Sequence, residues 1–158
     1  MYINYYMTIH IFDLDDTLLM SDTYNDYLDI KPLKSLNKIL YNLNKKYIFT
    51  NATYNHAIKC LSNMNAPIFE FIFARDNLYS NQKLKPNINP YIYINSIIIK
   101  NNDTELVIFY DDQLSNLETA KQLNWMTVWI TKSNDNKPDY VNYKFNNIID
   151  AINYMENK

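Results

Sequence analysis

The sequence predicts an α/β protein: a three-layer α/β/α sandwich around a mostly parallel sheet. Three observations predict it. Short apolar runs rich in Ile, Phe and Tyr alternate with segments at helical spacing along the whole chain. The runs are near-continuously apolar, as strands buried on both faces must be. Polar residues, most of them acidic, follow directly where several of these runs end, which places them at the edge where open α/β sheets bind ligands.

Each element follows from its local pattern. The run from Thr8 to Phe12 reads as the first strand. Leu33, Leu36, Ile39, Leu40 and Leu43 share one helical face, with Pro32 suited to the helix start. A short strand is expected from Lys46 to Thr50, then a helix on Ala57, Ile58, Leu61 and Met64. Phe69 to Ala74 reads as a strand. Pro90 to Ile99 reads as a helix despite many β-branched residues, which lose side-chain freedom in helices. Glu105 to Tyr110 is a strong strand, followed by a helix on Leu117, Ala120 and Leu123 and a strand from Met126 to Thr131. Ile148, Ile149, Ile152 and Met155 mark a last helix. No repeat or linker divides the chain, so one domain over residues 1–158 is expected.

Composition narrows the class. Of 158 residues, 47% are hydrophobic and 20% charged, which fits a globular chain with a sizeable core. A net charge of −2 and a pI near 5.6 argue against a broad basic nucleic-acid surface. There is no apolar run of about 18 residues for a membrane span, and the N-terminus lacks the pattern of a signal peptide. The single cysteine, Cys60, excludes an intrachain disulfide and fits a reducing, cytoplasmic setting; it falls on a helix face, where packing is its expected role. Glycine is absent and Asn, Ile, Tyr and Lys abound, as codons of an A/T-rich viral, parasite or bacterial genome would give. Without glycine, positive-φ positions must fall to Asn or Asp. Asn124 before Trp125, and Asn63 or Asn65 after the second helix, are the expected helix-ending positions of that kind.

The chemistry concentrates at strand ends. The first strand delivers Asp13 and Asp15, the second Thr50 and Asn51, and the strand ending at Tyr110 delivers Asp111 and Asp112; Lys85-Pro86 lies on a loop between them. Acidic groups, a hydroxyl and a lysine converging on one crevice suit metal-assisted phosphoryl transfer. Oxygen-only ligands suit Mg²⁺, metal and lysine neutralise phosphate charge, a carboxylate is a competent nucleophile, and a second acid can move the proton.

The order Asp13-Leu14-Asp15-Asp16-Thr17, Ile48-Phe49-Thr50-Asn51-Ala52, Lys85-Pro86 and Ile108-Phe109-Tyr110-Asp111-Asp112 with Asn116 resembles the four motifs of the haloacid dehalogenase superfamily of phosphohydrolases. The wording Thr-Asn-Ala followed by His56-Ala57, and Asp-Asp-x-x-x-Asn followed by Ala120 and Thr127-Val128, is most similar to its pyrimidine 5′-nucleotidase-like branch. The resemblance implies a Rossmann-like core. It implies Asp13 as the nucleophile forming an aspartyl-phosphate. It implies Asp15 as general acid/base, with its backbone carbonyl on the metal, and Thr17 as a brace for the loop. Thr50, aided by the Asn51 amide, would hold a phosphate oxygen, and Lys85 would pair with phosphate and nucleophile. Asp13, Asp111 and Asp112 would hold Mg²⁺, one or both of the latter pair through water. Asn116 would support that pair or cap its helix. Asp16 reads as a solvent-facing turn residue, and His10 and His56 as structural.

The chain departs from the nucleotidase pattern in one respect. About 37 residues separate Asp13 from Thr50, too few for the helical cap usual in that branch. Residues 19–31 suffice for a short flap, in which Tyr24 and Tyr27 either stack on a base or pack onto the core. The expected function is a Mg²⁺-dependent phosphatase of a phosphomonoester, with a nucleoside 5′-monophosphate as the nearest suggestion of the resemblance. The alternatives are a phosphatase of a phosphoprotein or nucleic-acid end, and a non-catalytic phosphate- or partner-binding relative. A homo-oligomer that supplies the missing lid is a further expectation.

Overall fold

The computed structural model describes residues 7–20, 25–78, 84–99 and 105–158. Among the described residues six strands form one sheet: β1 (Thr8–Phe12), β2 (Lys45–Phe49), β3 (Phe71–Phe73), β4 (Leu106–Asp111), β5 (Met126–Ile130) and β6 (Tyr143–Phe145). Their order is β3-β2-β1-β4-β5-β6 and every pairing is parallel. The helices are α1 (Lys34–Asn42), α2 (Tyr54–Asn63), α3 (Ile88–Ile98), α4 (Leu114–Lys121) and α5 (Ile148–Glu156). A 3-10 turn, Tyr27–Asp29, lies between β1 and α1.

Strand alternation divides the core into two layers. Phe12, Ile48, Ile108, Tyr110 and Val128 face α1, α2 and α5, where they meet Leu36, Leu40, Cys60, Ala151 and Ile152. Ile9, Ile11, Phe49, Phe109 and Trp129 face α3 and α4, where they meet Tyr91, Ile94, Leu117 and Ala120. α3 forms despite its β-branched residues because Tyr91, Ile94 and Ile98 are buried at one-turn spacing. The sandwich expected from the alternating runs is therefore present. β3 is shorter than the apolar run containing it, and α1 begins two residues after Pro32. Among the described residues no helix is long and apolar enough to cross a membrane.

The positive-φ positions fall on Asp16 (60°), Asn65 (56°) and Asn124 (59°). Two of them close helices in the same way. After α2, Asn65 N–H donates to Ser62 O and Ala66 N–H to Leu61 O; after α4, Asn124 N–H donates to Lys121 O and Trp125 N–H to Ala120 O. This paired closure needs a left-handed residue, usually glycine. With no glycine in the chain, asparagine takes the place at both sites.

Register then aligns the strand ends. Phe12 lies beside Ile48 and Tyr110, and Phe49 beside Phe73. The residues that follow, Asp13, Thr50 and Asp111, therefore emerge together at the carboxyl edge.

Candidate active site

Lys85 organises the edge. Its ammonium is buried and donates to Asp13 Oδ1 at 2.7 Å, Asp111 Oδ2 at 2.7 Å and Phe49 O at 2.9 Å. It also sits 5.0 Å from the Phe49 ring centroid and 5.4 Å from that of Phe109. Burial alone would lower its pKa, but Asp111 and Asp13 outweigh burial and hold it above the ordinary value. The loop carrying it is fixed from two sides. Asn51 accepts from Lys85 N–H and donates to Lys85 O, both at 3.0 Å, and Thr119 donates to Pro86 O at 2.7 Å.

Asp111 is fully buried and accepts four hydrogen bonds. Besides Lys85, Asn116 Nδ2 lies 3.0 Å from each oxygen, and the Gln113 N–H donates to Oδ1 at 2.8 Å. Asn116 is in turn held through its backbone carbonyl by the Tyr91 hydroxyl at 3.0 Å. Asp112 is half-buried. Its side chain accepts from Gln113 Nε2 at 2.5 Å, and its carbonyl accepts from Trp129 Nε1 at 2.9 Å. Burial first, then Asp111, raise its pKa.

Asp13 follows β1, with its N–H bonded to Tyr110 O at 2.9 Å. Burial pushes its carboxyl up to about 7; Lys85 opposes the shift, while Asp111 and Asp112 add to it. Asp13 and Asp111 therefore share one ammonium, with Asp112 close beside them. Asp13, Asp111 and Asp112 each offer an oxygen, and these lie within 4.8 Å of one another. An all-oxygen set with surplus negative charge fits a hard divalent cation such as Mg²⁺. Asp111, saturated by donors, fits an anchoring role, which leaves Asp13 and Asp112 as the better placed carboxylates.

The remaining motif residues take distinct places. Thr50 is buried, and its Oγ1 accepts from Ala52 N–H at 3.0 Å, so its own O–H is the group it has to donate. Asn51 acts on the lysine loop through its carboxamide rather than pointing that group outward. Asp16 is exposed in the turn at φ 60°. The loop closes by Leu19 N–H to Leu14 O at 2.9 Å, with Thr17 packed inside. The Thr17 hydroxyl is buried with no hydrogen-bond partner among the described residues.

Asp15 has a partner that its motif does not announce. His56 Nε2 lies 3.0 Å from Asp15 Oδ1, and Cys60 Sγ lies 3.5 Å from the same nitrogen. His56 occupies the first turn of α2, which Thr53 caps by accepting from His56 N–H at 3.3 Å. Tyr27 stands edge-on to the imidazole, with centroids 5.6 Å apart, and its carbonyl accepts from Asn63 Nδ2 at 3.0 Å. Of the two flap tyrosines, Tyr27 thus packs onto α2, while Tyr24 lies outside the described residues. His10 sits in the core layer, between the Tyr110 hydroxyl and Glu156, each at 3.0 Å.

No family model and no curated protein matches this sequence. Solved structures match its fold. An uncharacterized protein from Listeria monocytogenes serotype 4b has a TM-score of 0.67 at 15% identity, over 94% of this chain and 97% of its own. The L-2-haloacid dehalogenase from Xanthobacter autotrophicus with chloropropionic acid covalently bound has a TM-score of 0.64 at 12% identity, over 87% of this chain and 66% of its own. The chain has the haloacid dehalogenase fold. The putative HAD-hydrolase YfnB from Bacillus subtilis bound to magnesium shares it, with a TM-score of 0.64 at 16% identity. That match covers 80% of this chain and 56% of the hydrolase. The chain therefore spans nearly the whole Listeria protein but only 66% and 56% of the dehalogenase and the hydrolase. Within the haloacid dehalogenase fold of this chain, the residues expected from the motifs meet at one edge, and His56 joins them from α2.

Proposed function

We propose that the chain is a Mg²⁺-dependent phosphomonoesterase working through an aspartyl-phosphate, folded as one domain. One observation carries the reading. Asp13 is a buried carboxylate held by Lys85, close to Asp111 and Asp112, with a second, half-exposed acid two residues on. In the first step an Asp13 oxygen attacks phosphorus and the bond to the leaving oxygen breaks. Asp15 gives that oxygen its proton. In the second step Asp15 takes a proton from water, the water oxygen bonds to phosphorus, and the bond to Asp13 breaks, releasing phosphate. Lys85 and the Thr50 hydroxyl offset the phosphate charge, and Asp13 and Asp112, braced by Asp111, are the residues to hold Mg²⁺. Bound there, Mg²⁺ supplies charge neutralisation and orients the phosphate.

The substrate class follows from openness. About 37 residues between Asp13 and Thr50 leave no room there for a helical cap domain. A capless site makes few contacts beyond the phosphate, so small phosphomonoesters, nucleoside 5′-monophosphates among them, are expected to be poorly discriminated. A phosphoprotein or nucleic-acid end would cover the site itself, and a second copy of the chain would supply a lid.

A second reading comes from the solved structures, several of which are dehalogenases. One screen separates the two. Wild type and Asp13→Asn are compared on nucleotides, sugar phosphates, phosphopeptides, a 3′-phosphorylated oligonucleotide and 2-chloropropionate, with Mg²⁺ and with EDTA. The expected result is phosphate release that needs both Mg²⁺ and Asp13. Chloride release undiminished by EDTA would replace the phosphatase reading. Phosphatase activity retained by Asp13→Asn would exclude the covalent step.

A further inference from the structure

We propose that Asp15, His56 and Cys60 form a second cation site, separate from the Asp13–Asp111–Asp112 cluster, that takes a borderline-soft divalent ion of the Zn²⁺ type. The three ligand atoms lie within 4.8 Å of one another. His56 Nε2 is central, 3.0 Å from the Asp15 oxygen and 3.5 Å from the Cys60 sulfur. A tetrahedral zinc with bonds of about 2.0–2.3 Å sets its ligand atoms roughly 3.3–3.8 Å apart, so side-chain adjustments well short of a backbone movement complete the set. His56 and Cys60 are one turn apart on α2, which holds them on one face. Asp15, on the loop after β1, closes the third corner and leaves a fourth position for water on the open side, where its side chain is 41% exposed.

The donor types decide the ion. Imidazole plus sulfur favours Zn²⁺ over Mg²⁺, whereas the neighbouring all-carboxylate cluster has the opposite preference. Sulfur enters such a site as thiolate, so zinc binding displaces the Cys60 proton. The consequence rests on the phosphatase reading. An ion that binds the Asp15 carboxylate removes the group that moves the proton, so zinc inhibits through a site distinct from that of the activating metal.

The test begins with binding, which is independent of activity. Metal-free protein is titrated with Zn²⁺ against a chromophoric chelator in excess Mg²⁺, and separately with Co²⁺ while the thiolate-to-cobalt charge-transfer band is followed. The expected result is one Zn²⁺ per chain, a charge-transfer band, and at least a tenfold loss of Zn²⁺ affinity in Cys60→Ser and in His56→Gln. Circular dichroism checks folding, and the half-exposed His56 provides the variant less prone to disturb the core. Unchanged affinity in both variants, or no charge-transfer band, would overturn the site and assign any zinc to the carboxylate cluster. In the activity arm, Zn²⁺ should inhibit the Mg²⁺-dependent reaction of wild type, and Cys60→Ser should keep basal activity with that inhibition weakened about tenfold. Zinc bound with these signatures by a chain that hydrolyses no phosphate ester supports the site and overturns the phosphatase reading instead.

Discussion

Lys85→Met tests whether one ammonium holds the carboxyl edge of the sheet together. The substitution keeps the length and much of the volume of a side chain that is buried and packed between Phe49 and Phe109. It removes the cation lying 2.7 Å from both Asp13 Oδ1 and Asp111 Oδ2. Breaking a buried ion pair by deleting one partner costs about 3–5 kcal/mol. Here two carboxylates lose their partner, but burial and the neighbouring acids already hold the Asp13 carboxyl above its ordinary range, which eases its uptake of a proton. Asp111 keeps Asn116 and the Gln113 amide. The lower end, about 3 kcal/mol, is therefore expected. For a chain of this size each kcal/mol shifts Tm by about 2–4 °C, so Tm should fall by roughly 6–12 °C. The assay is thermal unfolding by circular dichroism, in EDTA and again with excess Mg²⁺. The added cation should raise the Tm of Lys85→Met more than that of wild type, because it substitutes for the missing charge. A variant within about 2 °C of wild type in EDTA would refute the view that Lys85 is the electrostatic keystone of the edge.

Three more outcomes are expected. Asp112→Ala should raise the Mg²⁺ concentration for half-maximal activity at least tenfold with little change in Tm, whereas Asp111→Ala should lower Tm as well, since it strips Lys85 and Asn116 of a buried partner; a metal titration and a melting curve on each variant separate the two. Asn124→Ala, at φ 59°, should cost about 1 kcal/mol, and Asn124→Gly should be neutral or stabilising, read by urea unfolding. The hydrogen bond from His10 holds the Glu156 carboxyl below its ordinary value of 4.5, so its stabilisation is present above that value and is lost as pH falls through the lower folded-state value. The side chain is 43% exposed, which keeps the effect within about 1 kcal/mol, and the gap in urea midpoint between wild type and Glu156→Gln should close on acidification.

The fold was legible because parallel strands covered on both faces must be apolar almost throughout, and β1, β4 and β5 are. The left-handed turns at Asn65 and Asn124 were legible for a different reason: the missing glycine left few other candidates. Boundaries were less so. The apolar run containing β3 begins at Phe69, but only Phe71–Phe73 pair in register with β2, against Tyr47–Phe49. At the edge, strand ends announced Asp13, Thr50 and Asp111, since parallel register brings such positions together. They did not announce how Asn51 is used, because its bonds go to a backbone 34 residues away. A half-exposed histidine in a helix's first turn, such as His56, carries no local mark of its partner, 41 residues earlier. The one available signal was its one-turn spacing to Cys60, on the helix that follows Thr50.

The two motif acids are held in opposite ways, and the difference bears on what each can do. Asp13 is 8% exposed and tied to a buried lysine whose other bonds run to Asp111 and a main-chain carbonyl, so a shift of its carboxylate disturbs the whole cluster. That rigidity suits a nucleophile, whose attack depends on distance and angle. Asp15 is half-exposed, and its partner His56, itself 30% exposed, rests on the ring of Tyr27. A group that must hand a proton out and then take one from water needs solvent access and a small range of positions, which this looser support allows. The same looseness leaves the Asp15 side responsive to whatever binds beside it: a leaving group, a covering subunit or a metal ion. If the proposed reaction holds, substrate selectivity and inhibition would belong to the Asp15–His56–Tyr27 side, and the charge cluster around Lys85 would set the step that all substrates share.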